Sequence, residues 1–279
     1  MKTTFTILCE NTAAVSFKIM GEHGLSILIE RGEEAVLMDT GQGMAISNNL
    51  DTLKKDISRL KAIVLSHGHF DHTGGLMAVL GRVDKVPLYA HPDAFSPRYA
   101  QLPSAKEKKI SIGIPFERSQ IESAGAVIHE VETLTEISPG IYVSGVVERP
   151  DDWKSWDERL VVPTEDGWQP DPFLDDFSMV VETDSGPVVL LGCAHAGLEF
   201  ILKHLQEKGG WDQFYAVLGG THLGVAGPEE WEKALILFEK YNIQRVGSSH
   251  CTGMHAATYL AQRLNERFFF AQAGISVSF

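Results

Sequence analysis

The sequence predicts an α/β protein, and three observations carry that reading. Apolar, β-branched runs joined by Gly-bearing segments fill the first 65 residues. Beyond residue 175 a strand, a Gly-bearing loop and a helix recur three times, the grammar of βα units that lay helices on a sheet. Each of those helices also carries a single apolar stripe.

Taken in order, the opening strands are Thr4 to Leu8, Leu25 to Ile29, Ala35 to Met38 and Ala62 to Leu65. The later helices are fixed by i, i+3, i+4, i+7 spacing: Leu198, Ile201, Leu202 and Leu205; Trp231, Ala234, Leu235 and Phe238; Ala257, Leu260, Ala261 and Leu264. Pro228, followed by Glu229 and Glu230, marks the start of the second, because proline suits the first helical turn and acids favour the positive end of the helix dipole. Two stretches break the rhythm. Asp93 to Arg118 carries several prolines and the basic run Lys106 to Lys109, and Glu148 to Asp176 carries Trp153, Trp156 and Trp168 among acids. Both read as insertions or lids on one domain spanning residues 1–279.

Composition narrows the function. With 44% hydrophobic and 22% charged residues in 279, and a mean hydropathy of -0.05, the chain can bury a sizeable core. The 24 basic side chains face 37 acidic ones, and the resulting net charge of -13 opposes phosphate backbones and anionic membranes, so no nucleic-acid partner is expected. No apolar run approaches the roughly 20 residues of a membrane helix, and the opening MKTTFTILCE lacks a signal-peptide core; no membrane association and a cytoplasmic location are expected. Cys9, Cys193 and Cys251 are too few for a disulfide framework and read as thiols.

The chemistry concentrates in Lys61 to Gly75, KAIVLSHGHFDHTGG, where an apolar strand runs into His67, His69, Asp71 and His72. Residues two apart on an extended segment face the same way, so His67 and His69 can grip one cation while Asp71 and His72, at the turn, aim at a neighbouring position. His195, His222 and His250 each follow an apolar strand and precede a helix, which repeats the placement of His67. The carboxyl ends of neighbouring strands share one sheet edge, so six histidines converge on one rim. His195 and His250 read as ligands. His222 reads first as a hydrogen-bonded rim histidine, free to protonate a leaving group or hold a substrate oxygen. His23, His91, His129, His204 and His255 lack this context and read as structural or surface residues, His23 least firmly. Cys193 reads as a small buried hydrophobe, with thiolate ligation the alternative. Asp39 can orient a metal-bound histidine or cap a turn, the former preferred. Asp175 and Asp176 precede a strand, where acids are usually solvated, although one of them could reach the cleft.

The HGHFDH run resembles the His-x-His-x-Asp-His signature of the metallo-β-lactamase superfamily. The blocks EHGLSILIE, LMDTGQG, LSHGHFDHTGG, LGCAHAG, LGGTHL and SSHCTG extend the resemblance to its dihydropteroate-synthase-like branch, whose members are described as metal-dependent hydrolases. The resemblance implies a four-layer αββα sandwich with a binuclear site at one edge. Carried over by residue, His67, His69 and His195 bind the first metal, and Asp71, His72 and His250 the second. The chain departs from the pattern at Cys193, which follows Gly192 where an Asp usually bridges both ions. It also lacks the separate histidine before that strand, so His195 fills the first shell from a position two residues onward. One or two divalent ions are implied, zinc first, with manganese or iron as alternatives.

The expected activity is hydrolysis of a small-molecule substrate, of phosphoester or pterin-pyrophosphate type, by metal-bound hydroxide, with Asp71 and His222 as the acid–base groups. Displacement at a pterin pyrophosphate is the related option, in which Lys106, Lys108, Lys109 or Arg118 would help hold phosphates. Two rivals stand behind it: a non-catalytic metal-containing protein that binds a metabolite or regulates a partner, and a di-iron redox protein, for which no flavodoxin-like stretch follows in the sequence.

Overall fold

A computed structural model describes residues 2–15, 18–102 and 105–279, the side chains of 105–107 excepted; the Lys106 side chain therefore lies outside the described residues. Its architecture follows from strands that are apolar on both faces. In Ser26–Arg31, Ile27 and Ile29 turn one way and Leu28 the other, and all three are buried. A strand of this kind needs cover on each side, and the fold supplies a second sheet on one face and helices on the other.

The first seven-stranded sheet runs Ser276–Ser278, Thr3–Cys9, Ser26–Arg31, Glu34–Met38, Leu60–Val64, Val86–Ala90, Ala126–Glu130. Its first four strands pair antiparallel and the remaining pairings are parallel. The second runs Phe268–Phe270, Arg245–Ser248, Ala216–Gly219, Gly186–Leu191, Ser178–Thr183, Ile141–Val143, Thr135–Ser138, parallel over the first four strands and antiparallel thereafter. Between the sheets lie Phe5, Ile27, Ile29, Val36, Met38 and Val64 from one side and Met179, Val181, Val188, Leu190 and Leu218 from the other.

The outward faces bury against helices. Leu28, Leu37 and Ile63 meet Ile46, Leu50, Leu76 and Val79 from Ile46–Leu53 and Leu76–Leu80. Val189, Leu191 and Val217 meet the stripes of Leu198–Gly209, Pro228–Lys240 and Met254–Leu264. The result is the four-layer αββα sandwich. In the predicted stripes Ile201, Leu205, Phe238 and Leu260 are fully buried, and Trp231 and Leu235 pack at the edge of the same core.

The two irregular stretches contain strands that sequence reading did not foresee. Tyr99–Leu102 and Ala105–Ser111 from one, and Leu160–Thr164 and Gly167–Pro170 from the other, join into a separate four-stranded antiparallel sheet. Their short, mixed polar composition hid a period-2 signal. Among the described residues no helix is long and apolar enough to cross a membrane.

Candidate metal centre

Parallel strands place their carboxyl ends together, and here five such ends deliver ligand-type residues. Glu34–Met38 leads to Asp39, Leu60–Val64 to His67, Gly186–Leu191 to Cys193 and His195, Ala216–Gly219 to His222, and Arg245–Ser248 to His250. Asp39, Ala194, His222 and His250 adopt left-handed backbone, with φ of 58°, 55°, 55° and 51°. Such a conformation costs a non-glycine residue about 1–2 kcal/mol, so its recurrence around one rim marks a site where geometry is held against local preference. Gly192 is required for a different reason: a Cβ there would stand 2.2 Å from Ser66 Oγ, the hydroxyl that contacts His67.

All six rim histidines come together. The ligand-type atoms of His67, His69 and His195 lie within 4.8 Å of one another, and all three side chains are buried. Opposite them, His72 Nε2 stands 3.2 Å from His250 Nε2, and Asp71 Oδ2 is 3.3 Å from His250 Nε2 and 3.9 Å from His72 Nε2. Donor atoms on a tetrahedral ion with 2.0–2.1 Å bonds are separated by about 3.3 Å, so the second triad has the spacing of a coordination edge. Cys193 Sγ, 3.2 Å from His72 Nε2, belongs both to a grouping with His67 and His72 and to one with His195 and His222. The thiol thus occupies the boundary between the two triads, where sequence reading expected a small hydrophobe first. Burial and the neighbouring Cys251 push it well above its usual pKa in the metal-free protein.

Hydrogen bonding fixes which ring nitrogens are offered. Asp39 accepts the Ser66 amide on Oδ1 at 2.7 Å, and the Ser66 hydroxyl and His72 Nδ1 on Oδ2, each also at 2.7 Å. Because the Ser66 hydroxyl donates to Asp39, it accepts from His67 Nδ1 at 2.8 Å, which leaves His67 Nε2 as a bare lone pair. One carboxylate therefore orients a histidine of each triad, the role preferred for Asp39 from sequence.

Six buried ring nitrogens have no hydrogen-bond partner among the described residues: His67 Nε2, His69 Nε2 and both nitrogens of His195 and His222. An unpaired buried polar atom costs roughly 1–3 kcal/mol, and a coordinated cation is the partner that imidazole lone pairs converging on one point would satisfy. These residues fit a divalent ion. Burial, reinforced by neighbouring histidines, holds His67 and His195 well below the usual imidazole pKa. Burial also lowers His69, to about 3, so in the metal-free protein these three rings are neutral and able to ligate.

The structure also places residues that sequence reading passed over. His23 was read as ordinary, yet its Nε2 is 3.1 Å from Asp71 Oδ2 and its ring centroid 5.2 Å from that of His250, although the side chain is 58% exposed. It arrives through Gly24, whose Cβ would collide with the Asp71 carbonyl at 2.1 Å. Asp175 and Asp176, for which solvation is the usual expectation and access of one to the cleft the alternative, are both buried: Asp175 accepts the Gly68 amide at 2.8 Å and Asp176 the Ala196 amide at 2.8 Å. Acids ahead of a strand look solvated in sequence because their partners are backbone amides of distant loops. Glu10 and Asn11, from the first strand's end, hold the His250 amide at 2.7 Å and Nδ1 at 2.9 Å. Arg118 pairs with Glu130 and Glu122, and Lys109 lies over the Trp168 ring at 4.6 Å.

From the second irregular stretch, Phe173 reaches the rim histidines. Its ring stacks on His195 with centroids 4.1 Å and planes 9° apart, and it meets His69 edge-on at 6.0 Å. Trp153 lies under the Arg149 guanidinium at 4.2 Å and lines a cavity of about 660 Å³ whose wall includes Asp171, Pro172 and Leu174. Trp168 packs on Tyr99, and Trp156 is 46% exposed.

A two-sheet αββα fold with histidines, acids and a thiol at the carboxyl ends of its parallel strands defines a class of metal-dependent proteins. Residues 20–240 match the metallo-β-lactamase superfamily, and the chain belongs to it. A 7,8-dihydropterin-6-methyl-4-(β-D-ribofuranosyl)-aminobenzene-5′-phosphate synthase of Methanocaldococcus jannaschii is 27% identical over an alignment covering 98% of this chain and 95% of that protein. The crystal structure of Tm1679, described as a metal-dependent hydrolase of the β-lactamase superfamily, superimposes with a TM-score of 0.83 at 25% identity, covering 99% and 98% of the two chains. Zinc-bound PqqB from Methylobacterium extorquens shares the fold at a TM-score of 0.58 and 14% identity, over 98% of this chain and 99% of that one.

Proposed function

We propose that this protein is a metal-dependent hydrolase of a small phosphorylated molecule, and that residues 1–279 act as one domain with the segments near 93–118 and 148–176 as its cover. The observation that carries the reading is the set of unpartnered, neutral imidazole nitrogens on His67, His69 and His195 facing one point. In it, those three residues hold one divalent cation, and Asp71, His72 and His250 hold a second, with Cys193 between them. A bound zinc, manganese or iron ion supplies Lewis acidity, drawing the pKa of water toward roughly 7 and polarising a substrate oxygen.

The chain does the rest. Asp39 and Ser66 keep His67 and His72 in the tautomer that turns Nε2 inward. Asp71, which the charge of His72 and the hydrogen bonds of His23 and His250 hold well below the usual carboxylate range despite burial, stays ionised and accepts a hydrogen bond from the attacking water, orienting it. His222, buried beside His195 with ring centroids 4.4 Å apart, donates a proton to the leaving group. Phe173 and its segment exclude bulk water from the His69–His195 side.

A second reading, displacement of pyrophosphate rather than hydrolysis, is favoured by the near full-length similarity to the synthase of M. jannaschii. The test is chelation followed by metal repletion, with turnover assayed on phosphoesters, a lactone, a thioester and a pterin pyrophosphate with and without an acceptor amine. Hydrolysis predicts metal-dependent product in the absence of acceptor. Product only with acceptor supports displacement, and a metal-replete protein that binds a metabolite but turns over nothing is a binding protein.

A further inference from the structure

Arg98 is the largest fully buried side chain among the described residues. It lies in the first irregular stretch and forms ion pairs with three carboxylates: Asp171; Asp175 at 2.7 Å; and Asp93 at 3.0 Å. Two of those acids belong to the second irregular stretch, so a single guanidinium ties together the two segments that sequence reading separated. A buried arginine meeting one acid is commonplace. Here each of the two distant acids has a further partner, and both partners lead to the metal centre.

Asp175 presents its other oxygen to the Gly68 amide at 2.8 Å. Gly68 is the residue between His67 and His69, and a Cβ there would strike the Ala94 carbonyl at 2.1 Å, so the turn is clamped from both sides. Asp171 accepts the Phe173 amide on its other oxygen at 2.8 Å, and Phe173 is the ring stacked on His195. The first irregular stretch, which carries Arg98, also reaches the neighbouring turn directly, because the Phe70 amide donates to the Ile112 carbonyl at 2.8 Å.

We propose that Arg98 is a positioning residue for the metal centre: through Asp175 it fixes the backbone between His67 and His69, and through Asp171 it holds Phe173 against His195. This rests on the reading that His67, His69 and His195 hold a metal. The guanidinium is suited to the task because its rigid fork reaches two carboxylates at once, which a lysine ammonium on a flexible stem does not reproduce. Three carboxylates around one cation also leave an excess of negative charge behind the turn, which favours a cation in front of it.

The experiment uses full-length protein stripped of metal and titrated with Co(II), read by its visible ligand-field spectrum, and with Zn(II) under chelator competition. Variants are Arg98→Lys, Arg98→Met and Asp175→Asn, each measured for melting temperature in parallel. A positioning role predicts that Arg98→Lys folds but binds Zn(II) at least tenfold more weakly, with a shifted Co(II) spectrum. Asp175→Asn, which keeps an oxygen for the Gly68 amide, should fall between Arg98→Lys and wild type. Should Arg98→Met fail to fold, the lysine and asparagine variants carry the test. Folded Arg98→Lys with wild-type Zn(II) affinity and an unchanged Co(II) spectrum, whatever its melting temperature, overturns the proposal and leaves the metal centre standing. Wild-type protein that takes up neither ion overturns the metal centre and this proposal together.

Discussion

The ring of Phe173 lies flat on the imidazole of His195, 4.1 Å between centroids and 9° between planes. An aromatic face so placed limits how the imidazole can rotate, and it comes from the segment that would cover a bound substrate. Phe173→Leu keeps most of the buried volume but removes the flat wall, so a modest loss of melting temperature is expected together with a roughly tenfold fall in kcat/KM, because small misplacements at a reacting centre are expensive. Trp156→Ala, at an exposed position, should leave both unchanged. Equal effects from the two substitutions would show that Phe173 has no special relation to the centre.

Asp39 joins the two triads through Ser66 and His72, and asparagine tolerates the left-handed backbone that Asp39 adopts at φ 58°. Asp39→Asn therefore removes the charge and the correct acceptor pattern without straining the chain. Loss of such a partner typically lowers metal affinity about 10- to 100-fold. Competition with a chelator of known affinity checks the expectation, and wild-type affinity in the variant would make Asp39 a turn residue only.

Much of this was legible in the sequence. The apolar strands and helical stripes have clear periods, and His67, His69, Asp71, His72, His195 and His250 stand at strand ends where topology gathers them. Legibility failed wherever a residue acts through something far away in the chain. Arg98, Asp171 and Asp175 look like surface charges until folding encloses them around one another. Phe173 is one apolar residue in an acidic loop, with no period to mark it. His23 follows no strand, and only the close approach at Gly24 brings it to Asp71.

The charge state of His72 gives the metal-free protein a distinctive pH response. Burial lowers its pKa, but the carboxylates of Asp39 and Asp71 outweigh this and raise it from 6.5 to about 9. A raised histidine pKa stabilises the fold fully below the unfolded value and loses that contribution as pH rises through the folded one. The melting temperature of metal-free protein should therefore fall between pH 6.5 and 9, and Asp39→Asn should flatten that decline. Metal-loaded protein should not show it, since His72 gives up its proton to ligate. Identical alkaline profiles for the metal-free, metal-loaded and Asp39→Asn proteins would remove His72 as the source.

The central claim is that the His67, His69 and His195 nitrogens hold a metal ion, and native mass spectrometry of protein purified without chelator addresses it directly. The wild type should carry one to two transition-metal ions per chain. The His67→Ala, His69→Ala double variant, shown by circular dichroism to be folded, should lose at least one of them. A folded double variant that retains the wild-type metal content contradicts the assignment.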